Sequence, residues 1–501
     1  QTLIGNYLSE LARLRQASGS RRESVLREAF KDLLKAWGRQ HDLVFVAEYP
    51  LKTATKSSIA VDGALLHELA LAHAAPAASA APAPSAPPPG ASIALEPELH
   101  TGSAVELVSR AIQTALAEGA SDIHFECDRQ GLSVKLRLDG VMRPLLRQDG
   151  VERAEAVISR IKVLAQLDIT ERRLPQDGRF RHEQRGANVG RGVDLRVSIM
   201  PSVFGEDAVL RLLDKSHLRA SNDGVTLEGL GFAGAQIERL RRLAYQPNGM
   251  VLVTGPTGSG KTTTVYAALS EINTGIEKII TIEDPVAYEL PGVLQTPANE
   301  RKGLTFAVGL RSILRHDPDR ILVGEIRDAE TAGIAVQSAL TGHLVFTTVH
   351  ANSLFDVIGR FRHFGIDMFG FVSALNGVVV QRLLRQLCKA CRGTRPVAAA
   401  EREWFAEQAL PAPARLPAAH GCPECHGSGY RGRFVVAEVH VLSDAFRDLV
   451  VRQADVTQLK QLAFAPGRDG PQVPLLLHAA LQHVAHGETT LEEVYRVVGR
   501  H

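Results

Sequence analysis

The chain is poor in several features that mark particular classes of protein. Aromatic residues make up 5% of its 501 residues, and 57 Lys+Arg against 55 Asp+Glu leave a net charge of only +2. That composition supplies neither the stacking platforms nor the basic field of a nucleic-acid binder, so no nucleic-acid partner is expected. No apolar run approaches the roughly 20 residues that span a bilayer. The first residues alternate charged with apolar positions instead of forming a signal peptide. These absences place the chain in the cytoplasm. Cysteine is scarce as well, with five residues, four of them in two C-x-x-C pairs. In a reducing compartment that spacing points to metal and not to disulfides. The fifth, Cys127, is assigned to packing as a small hydrophobe. With 45% hydrophobic and 22% charged residues the chain is otherwise globular, and its length calls for about two to four domains.

Residues 74–90, AAPAASAAPAPSAPPPG, hold almost only Ala, Pro and Ser and cannot form a core. They belong to a semi-rigid linker placed at 73–97, which separates an N-terminal segment, 1–72, from everything downstream. The chain begins with Gln1, so an N-terminal piece is expected to be missing. Residues 104–117 have helical apolar spacing, and "SDIHFE", "VKLRLDG", "VDLRVSIMPS" and "AVLRLLD" read as strands around a second helix near 154–167. This defines a small α+β domain at 98–217. Strands and helices then alternate from 250 to about 385, as in a parallel sheet with helices on its faces, giving a core at 218–386. A cysteine module at 387–430 and a helical C-terminal part at 431–501 complete the chain.

The apolar strand at 250–253 runs straight into GPTGSGKT (255–262) and then into the helical TTVYAALSEI. Such a loop turns successive backbone N–H groups toward phosphates at a helix N-terminus. Gly255, Pro256, Thr257, Gly258, Ser259 and Gly260 form the cradle, with Thr263 beside it. Lys261 would reach the β- and γ-phosphates, and Thr262 would ligate magnesium. Three later strands end in polar residues: IITIEDP in Glu283 and Asp284, ILVGEIRD in Glu325, and TGHLVFTTVHAN in His343 and His350 at its two ends. At the carboxyl ends of parallel strands such side chains converge on a phosphate crevice. In ILVGEIRD the usual position of the magnesium-linked acid is Gly324, and Glu325 follows it.

Those segments, with GASDIHFE (119–126), RLPQDGR (173–179), LRVSIMPSVFGEDAVLRLL (195–213), GLTFAVGLRSILRHDPDRILVGEIRD (303–328), VVQRLLRQLCKAC (379–391) and GETTLEEVYRV (487–497), resemble the type II secretion and type IV pilus assembly ATPases over about 100–499. The resemblance implies a RecA-like P-loop ATPase domain preceded by a smaller α+β, PAS-like domain. It implies a homo-hexamer that binds ATP with Mg2+ between the two domains. It also implies inner-membrane platform and cytoplasmic-domain partners, and through them a peripheral place at that membrane. By the same resemblance Glu325 takes the acid role toward magnesium and the attacking water, and Gly324 leaves room near the phosphates. Glu283 is a second candidate for orienting that water. His343 and His350 match a motif that senses the γ-phosphate. Arg196 and Arg211 match arginines that reach across to the phosphates, with Arg179 weaker.

Cys388 and Cys391, then Cys422 and Cys425 after 30 residues, can give four thiolates to one structural Zn2+. Assembly ATPases carry a similar module, which favours a polymerising motor over a retracting one. The sequence departs from the family at Ala287, where an acidic residue is usual, and at GRFRHFG (359–365). Residues 1–66 more nearly resemble the opening of certain restriction-modification enzymes over a short span. Glu48 and Asp62 would be remnants of a nuclease motif on that reading, and a solvated helix and strand is the plainer one. The leading expectation is an ATP hydrolase driving pseudopilus or pilus assembly. The alternatives are a nucleic-acid translocase or restriction-associated ATPase, and a scaffold that binds nucleotide without hydrolysing it.

Overall fold

The computed structural model describes residues 43–52, 58–67, 103–183, 192–213, 225–408, 410–465 and 473–499. The linker expected at 73–97 lies outside them, as does the helix expected before residue 43. The chain divides into two units, Gln1–Ala94 and Leu95–His501. In the first, β1 (Leu43–Lys52) pairs antiparallel with β2 (Ser58–His67), and Glu48 stands opposite Asp62 in the register.

The second unit opens with α1 (Ala104–Glu118), started by a capping box between Ser103 and Glu106. Strands β3 (Asp122–Cys127), β4 (Gly131–Leu138) and β5 (Val141–Asp149) precede α2 (Val151–Leu164), and β6 (Gln176–Glu183), β7 (Gly192–Ser202) and β8 (Gly205–Leu213) follow it. All six form one antiparallel sheet in the order β5-β4-β3-β8-β7-β6. Successive side chains of a strand point to opposite faces. One set, including Ile123, Phe125, Leu136, Leu195, Val197 and Leu210, is therefore buried under Ile112 of α1 and Ile158 of α2. The alternate residues of β6 and β7 are left exposed or half-exposed.

The next elements are α3 (Gly234–Ala244), β9 (Gly249–Thr254), α4 (Lys261–Ile272), β10 (Ile279–Glu283), β11 (Leu294–Pro297), α5 (Phe306–Ile313), β12 (Arg320–Val323), α6 (Ala329–Leu340), β13 (Leu344–Val349), α7 (Leu354–His363), α8 (Met368–Ala374) and β14 (Leu375–Leu387). After them come β15 (Arg392–Pro396), α9 (Ala399–Glu407), β16 (Arg415–Ala419) and β17 (Tyr430–Val441). Among the described residues four helices follow, α10 (Asp444–Val451), α11 (Val456–Ala463), α12 (Leu476–Ala485) and α13 (Leu491–Val498). The central sheet runs β11-β10-β12-β13-β9-β14-β17, parallel except for β17, which is antiparallel to β14. All six residues of β9 and of β13 are buried, as expected of strands covered on both faces. Residues of α5 to α8, with α10 and α11, cover one face, and α3 and α4 cover the other.

The C-terminal part, expected to be helical from 431, instead begins with β17. Its alternating Val435, Ala437 and Val439 pack beside Val379, so this strand finishes the nucleotide-side sheet and the helices start at Asp444. The last helix is tied back to β14. Glu493, fully buried on α13, accepts bonds from the Arg385 backbone N–H at 3.0 Å, Arg385 Nη2 at 2.7 Å and Arg496 Nη2 at 2.6 Å. Burial pushes its carboxyl up, but those guanidinium groups outweigh burial and hold it below the usual range. A Glu493→Gln chain removes one partner of a buried pair, and because Arg496 stays partly solvated the expected cost is about 2–3 kcal/mol. Urea unfolding with fluorescence detection checks it. The stabilisation from Glu493 is present above the unfolded carboxylate pKa and is lost as pH falls through the depressed folded value.

Candidate nucleotide site

In the phosphate loop the glycines are required by the backbone path. Gly255, Gly258 and Gly260 have φ of 151°, 77° and 83°. A Cβ on Gly255 would come within 2.4 Å of the Gln381 carbonyl oxygen, so no side chain fits there. Gly260 caps α4 without a side-chain bond, which leaves the first amides of a twelve-residue helix available to an anion. Lys261, on the first turn, donates to Gly255 O at 3.0 Å and Pro256 O at 3.1 Å. Burial pulls its pKa down, partly offset by Glu325. Thr262 is exposed and Thr263 half-buried, whereas Ser259 and Thr264 are buried with hydroxyls that have no hydrogen-bond partner. A buried donor without a partner is costly. The uncapped helix end, with the Ser259 hydroxyl in the loop beside it, therefore fits a polyanionic group such as a nucleoside triphosphate.

Two turns flank the loop. After β12, Glu325 is held by Arg327 through one carboxylate oxygen, and its other oxygen lies 3.2 Å from His350 Nε2 after β13. Arg327 also lies 3.7 Å from Asp284 Oδ2 after β10. Burial pushes the Glu325 carboxyl up, but Arg327 and His350 outweigh it and keep it below the usual carboxylate range. Glu325, His350, Lys261 and the loop are thus gathered at the carboxyl end of the sheet. Glu283 lies elsewhere in kind: it is 2% exposed and accepts bonds from Tyr266 Oη, Thr281 Oγ1 at 2.6 Å and Gln295 Nε2 at 3.3 Å. Next to it, Tyr288 is pushed up to about 12 by burial and by the Glu283 charge.

Two expectations change. His343 precedes β13, at its amino end, where its Nδ1 sits 3.0 Å from Ser338 O. Six strand residues, roughly 20 Å, separate it from His350, so within one chain it does not join the phosphate loop. Gly324 leaves room for the neighbouring strand and not for phosphates, because a Cβ there would meet Ile282 O and Glu283 Cα at 3.2 Å. Backbone atoms cannot move aside as a flexible side-chain end can.

The α+β domain aligns its arginines by register. Arg179 is opposite Arg196, Arg196 opposite Arg211, Arg211 opposite Asp122 and Asp122 opposite Arg137, one row across five strands. Asp122 is bonded to Arg211 Nε at 2.8 Å and lies 3.8 Å from Arg137. Arg179 and Arg196 are exposed and have no ion-pair partner among the described residues, leaving a cationic stripe suited to an anion. The three arginines are legible singly in sequence, but only the register shows that they stand side by side.

The cysteine cluster is tetrahedral in its spacing. All four sulfurs lie within 4.8 Å of one another, with Cys388 to Cys422 at 3.8 Å, Cys391 to Cys425 at 3.7 Å and Cys422 to Cys425 at 3.7 Å. Four thiolates at about 2.3 Å from one ion would stand about 3.8 Å apart, so the set fits zinc. Burial pushes the Cys425 thiol up, but the Cys422 and Gly429 amides and the neighbouring thiols bring it down to about 7. The pair β15 and β16, together with α9, fills the 30-residue interval.

Arg327, Gln381, Arg382 and Tyr266 lie within the motif segments, but the motifs assign them no role. Gln381 and Arg382 had one visible signal, two polar residues interrupting the apolar run of β14.

A mostly parallel sheet with a glycine loop at one strand end, an uncapped helix start and an acid at the next turn defines a P-loop nucleotide-binding protein. Residues 98–496 match the family described as type II/IV secretion system protein, and the chain belongs to that family. It is 45% identical over 394 residues to the "Putative type II secretion system protein E" of Escherichia coli, covering 78% of this chain and 76% of that one. Against the "Type II secretion system ATPase E" of Vibrio cholerae it is 43% identical over 393 residues, covering 78% and 75%. Among solved structures, the Legionella pneumophila ATPase DotB superposes with a TM-score of 0.55 at 18% identity, covering 80% of this chain and 97% of that one, and this likeness speaks for the fold alone.

Proposed function

We propose that this chain is the motor of a type II secretion or type IV pilus machine, an ATP hydrolase whose cycle drives pseudopilus or pilus assembly. The observation that carries the reading is the joining of Lys261, the phosphate loop, Glu325 and His350 at one end of the sheet. Lys261 and the loop amides bind the phosphates. Glu325, paired with His350 and Arg327, orients a water for in-line attack on the γ-phosphorus. Thr262 and Glu325 are the residues that would hold Mg2+, which supplies charge neutralisation when bound. The arginine row of the α+β domain, here read as PAS-like, offers further positive charge to the phosphates, and movement of that domain against the RecA-like core carries the work. Glu283 holds α4 to β10 instead of touching the water.

The assembly is read as a homo-hexamer, cytoplasmic and held at the inner membrane through platform proteins. Among the described residues no helix is long and apolar enough to cross a membrane. The test is ATP turnover by the purified chain with Mg2+, with and without the cytoplasmic domain of a platform partner, alongside native mass spectrometry. Mg2+-dependent phosphate release from a six-fold species is expected. No turnover in either condition would leave a scaffold, and stimulation by DNA in place of the partner would make it a translocase.

Zinc in the four-cysteine module is read as structural, since four thiolates leave no open position for chemistry. One zinc per chain is expected by elemental analysis, and Cys422→Ser should lose it. A zinc-selective chelator, with Mg2+ kept in excess, should lower the first thermal transition with little effect on nucleotide binding.

A further inference from the structure

We propose that Arg382 is a positioning residue for hydrolysis, fastening the turn that carries His350 to the phosphate loop from the far side. The inference rests on the ATP site described above. Strand β14 lies beside β9 on the side opposite β13, so β9 and its loop sit between them. From β14, buried Gln381 donates its Nε2 to Ser259 O at 2.7 Å and pins the loop. The next residue, Arg382, donates from Nη1 to Gln381 O at 3.0 Å and from Nη2 to Asn352 Oδ1 at 3.2 Å and Asn352 O at 3.4 Å. Its side chain thereby crosses two strand spacings, roughly 10 Å, to the turn after β13. That turn is also held from beneath, where the Ala351 N–H donates to Thr254 Oγ1 at 3.0 Å. Asn352 is two residues from His350, whose Nε2 contacts Glu325.

The partners of this guanidinium are unusual for a half-buried cation. All three acceptors bonded to it are neutral. A buried structural arginine is ordinarily bonded to a carboxylate, because an uncompensated charge is expensive. Two acids act on it at longer range. Asp356 is one, and Glu438 is the other, on the same face of the sheet, since Val380 pairs with Glu438 and Arg382 with Val436. Glu438 is itself fixed by the N–H of Leu476, the first residue of α12, at 2.7 Å, and by His440 Nε2 at 3.1 Å. Lys261 is a like-charged neighbour, and burial lowers the pKa of both cations. Two cations with little bonded compensation suit an anion between the flanking turns. The geometry gives Arg382 the task of setting the distance of His350, and through it Glu325, from the phosphates.

The experiment compares full-length wild type, Arg382→Gln, Arg382→Lys, Asn352→Ala and the double variant Arg382→Gln/Asn352→Ala. Steady-state kcat and KM, binding of a fluorescent ATP analogue and melting temperature are read for each. Both Arg382→Gln and Asn352→Ala should lower kcat about tenfold with KM within about threefold of wild type. The double variant should lose no more than the worse single variant, as coupled residues do. Arg382→Lys, which keeps the charge and loses the fork, should restore little. An unchanged kcat in Arg382→Gln, losses that multiply in the double variant, or full rescue by lysine overturns the inference. Absence of turnover in wild type would instead overturn the reading of the site itself.

Discussion

A Lys261→Ala chain is expected to fold and to hydrolyse ATP at no more than about one hundredth to one thousandth of the wild-type rate, the usual cost of removing one preorganised charge from a transition state. The side chain lies on the first turn of α4, 9% exposed, and among the described residues its ammonium donates to two loop carbonyls, Gly255 O and Pro256 O. A carbonyl returns part of the energy of desolvating an ammonium, and burial pulls the Lys261 pKa down. Truncation therefore relieves a desolvation cost in the fold while removing the charge that, on the proposed reading, meets the β- and γ-phosphates. Melting temperature should stay level or rise, and affinity for the triphosphate should fall more than affinity for the nucleoside. Phosphate release and a thermal melt on the same preparation check both halves. Wild-type turnover in this variant would put the phosphates somewhere else.

The phosphate loop was legible because its chemistry is carried by backbone. Gly255, Gly258 and Gly260 stand where only glycine tolerates the positive φ, and no longer-range contact is needed to know it. The strands of the α+β domain were legible for a similar reason, since period-two burial is a local property. What escaped notice depends on pairing across the chain. β17 joins the sheet through β14, more than 40 residues earlier, and the apolar alternation of Val435, Ala437 and Val439 does not say which neighbour it will find. The role of Gly324 required knowing that the end of β10 passes within 3.2 Å. His343 and His350 flank one strand, and a strand sends its two ends in opposite directions; only the end facing the loop can serve the loop. Arg382 was hidden because its partner, Asn352, lies 30 residues away.

The proposed assignment of Glu325 and not Glu283 as the acid that orients the attacking water rests on what each carboxylate is already bonded to. Glu283 is 2% exposed and accepts bonds from Tyr266, Thr281 and Gln295. Replacing it with glutamine keeps the shape but sets an amide N–H2 against groups that donate, so one or two buried donors lose their acceptor at about 1–3 kcal/mol. Glu283→Gln should therefore unfold earlier, yet each folded molecule should keep turnover within a few fold of wild type. Glu325 stands differently. Its partners, Arg327 and His350, are ionic neighbours at the mouth of the site, and its carboxylate is the acid that acts on the Lys261 charge. Glu325→Gln keeps the hydrogen-bond reach to His350 but cannot accept a proton or balance the metal, so nucleotide should bind with near-normal affinity while kcat falls at least about a hundredfold. Binding of a fluorescent ATP analogue, turnover per folded molecule and the melting temperature of the two variants separate a water-orienting acid from a structural one. If Glu283→Gln abolished turnover without loss of stability and Glu325→Gln kept it, the two assignments would be exchanged, and the loop's catalytic partner would be β10 instead of β12.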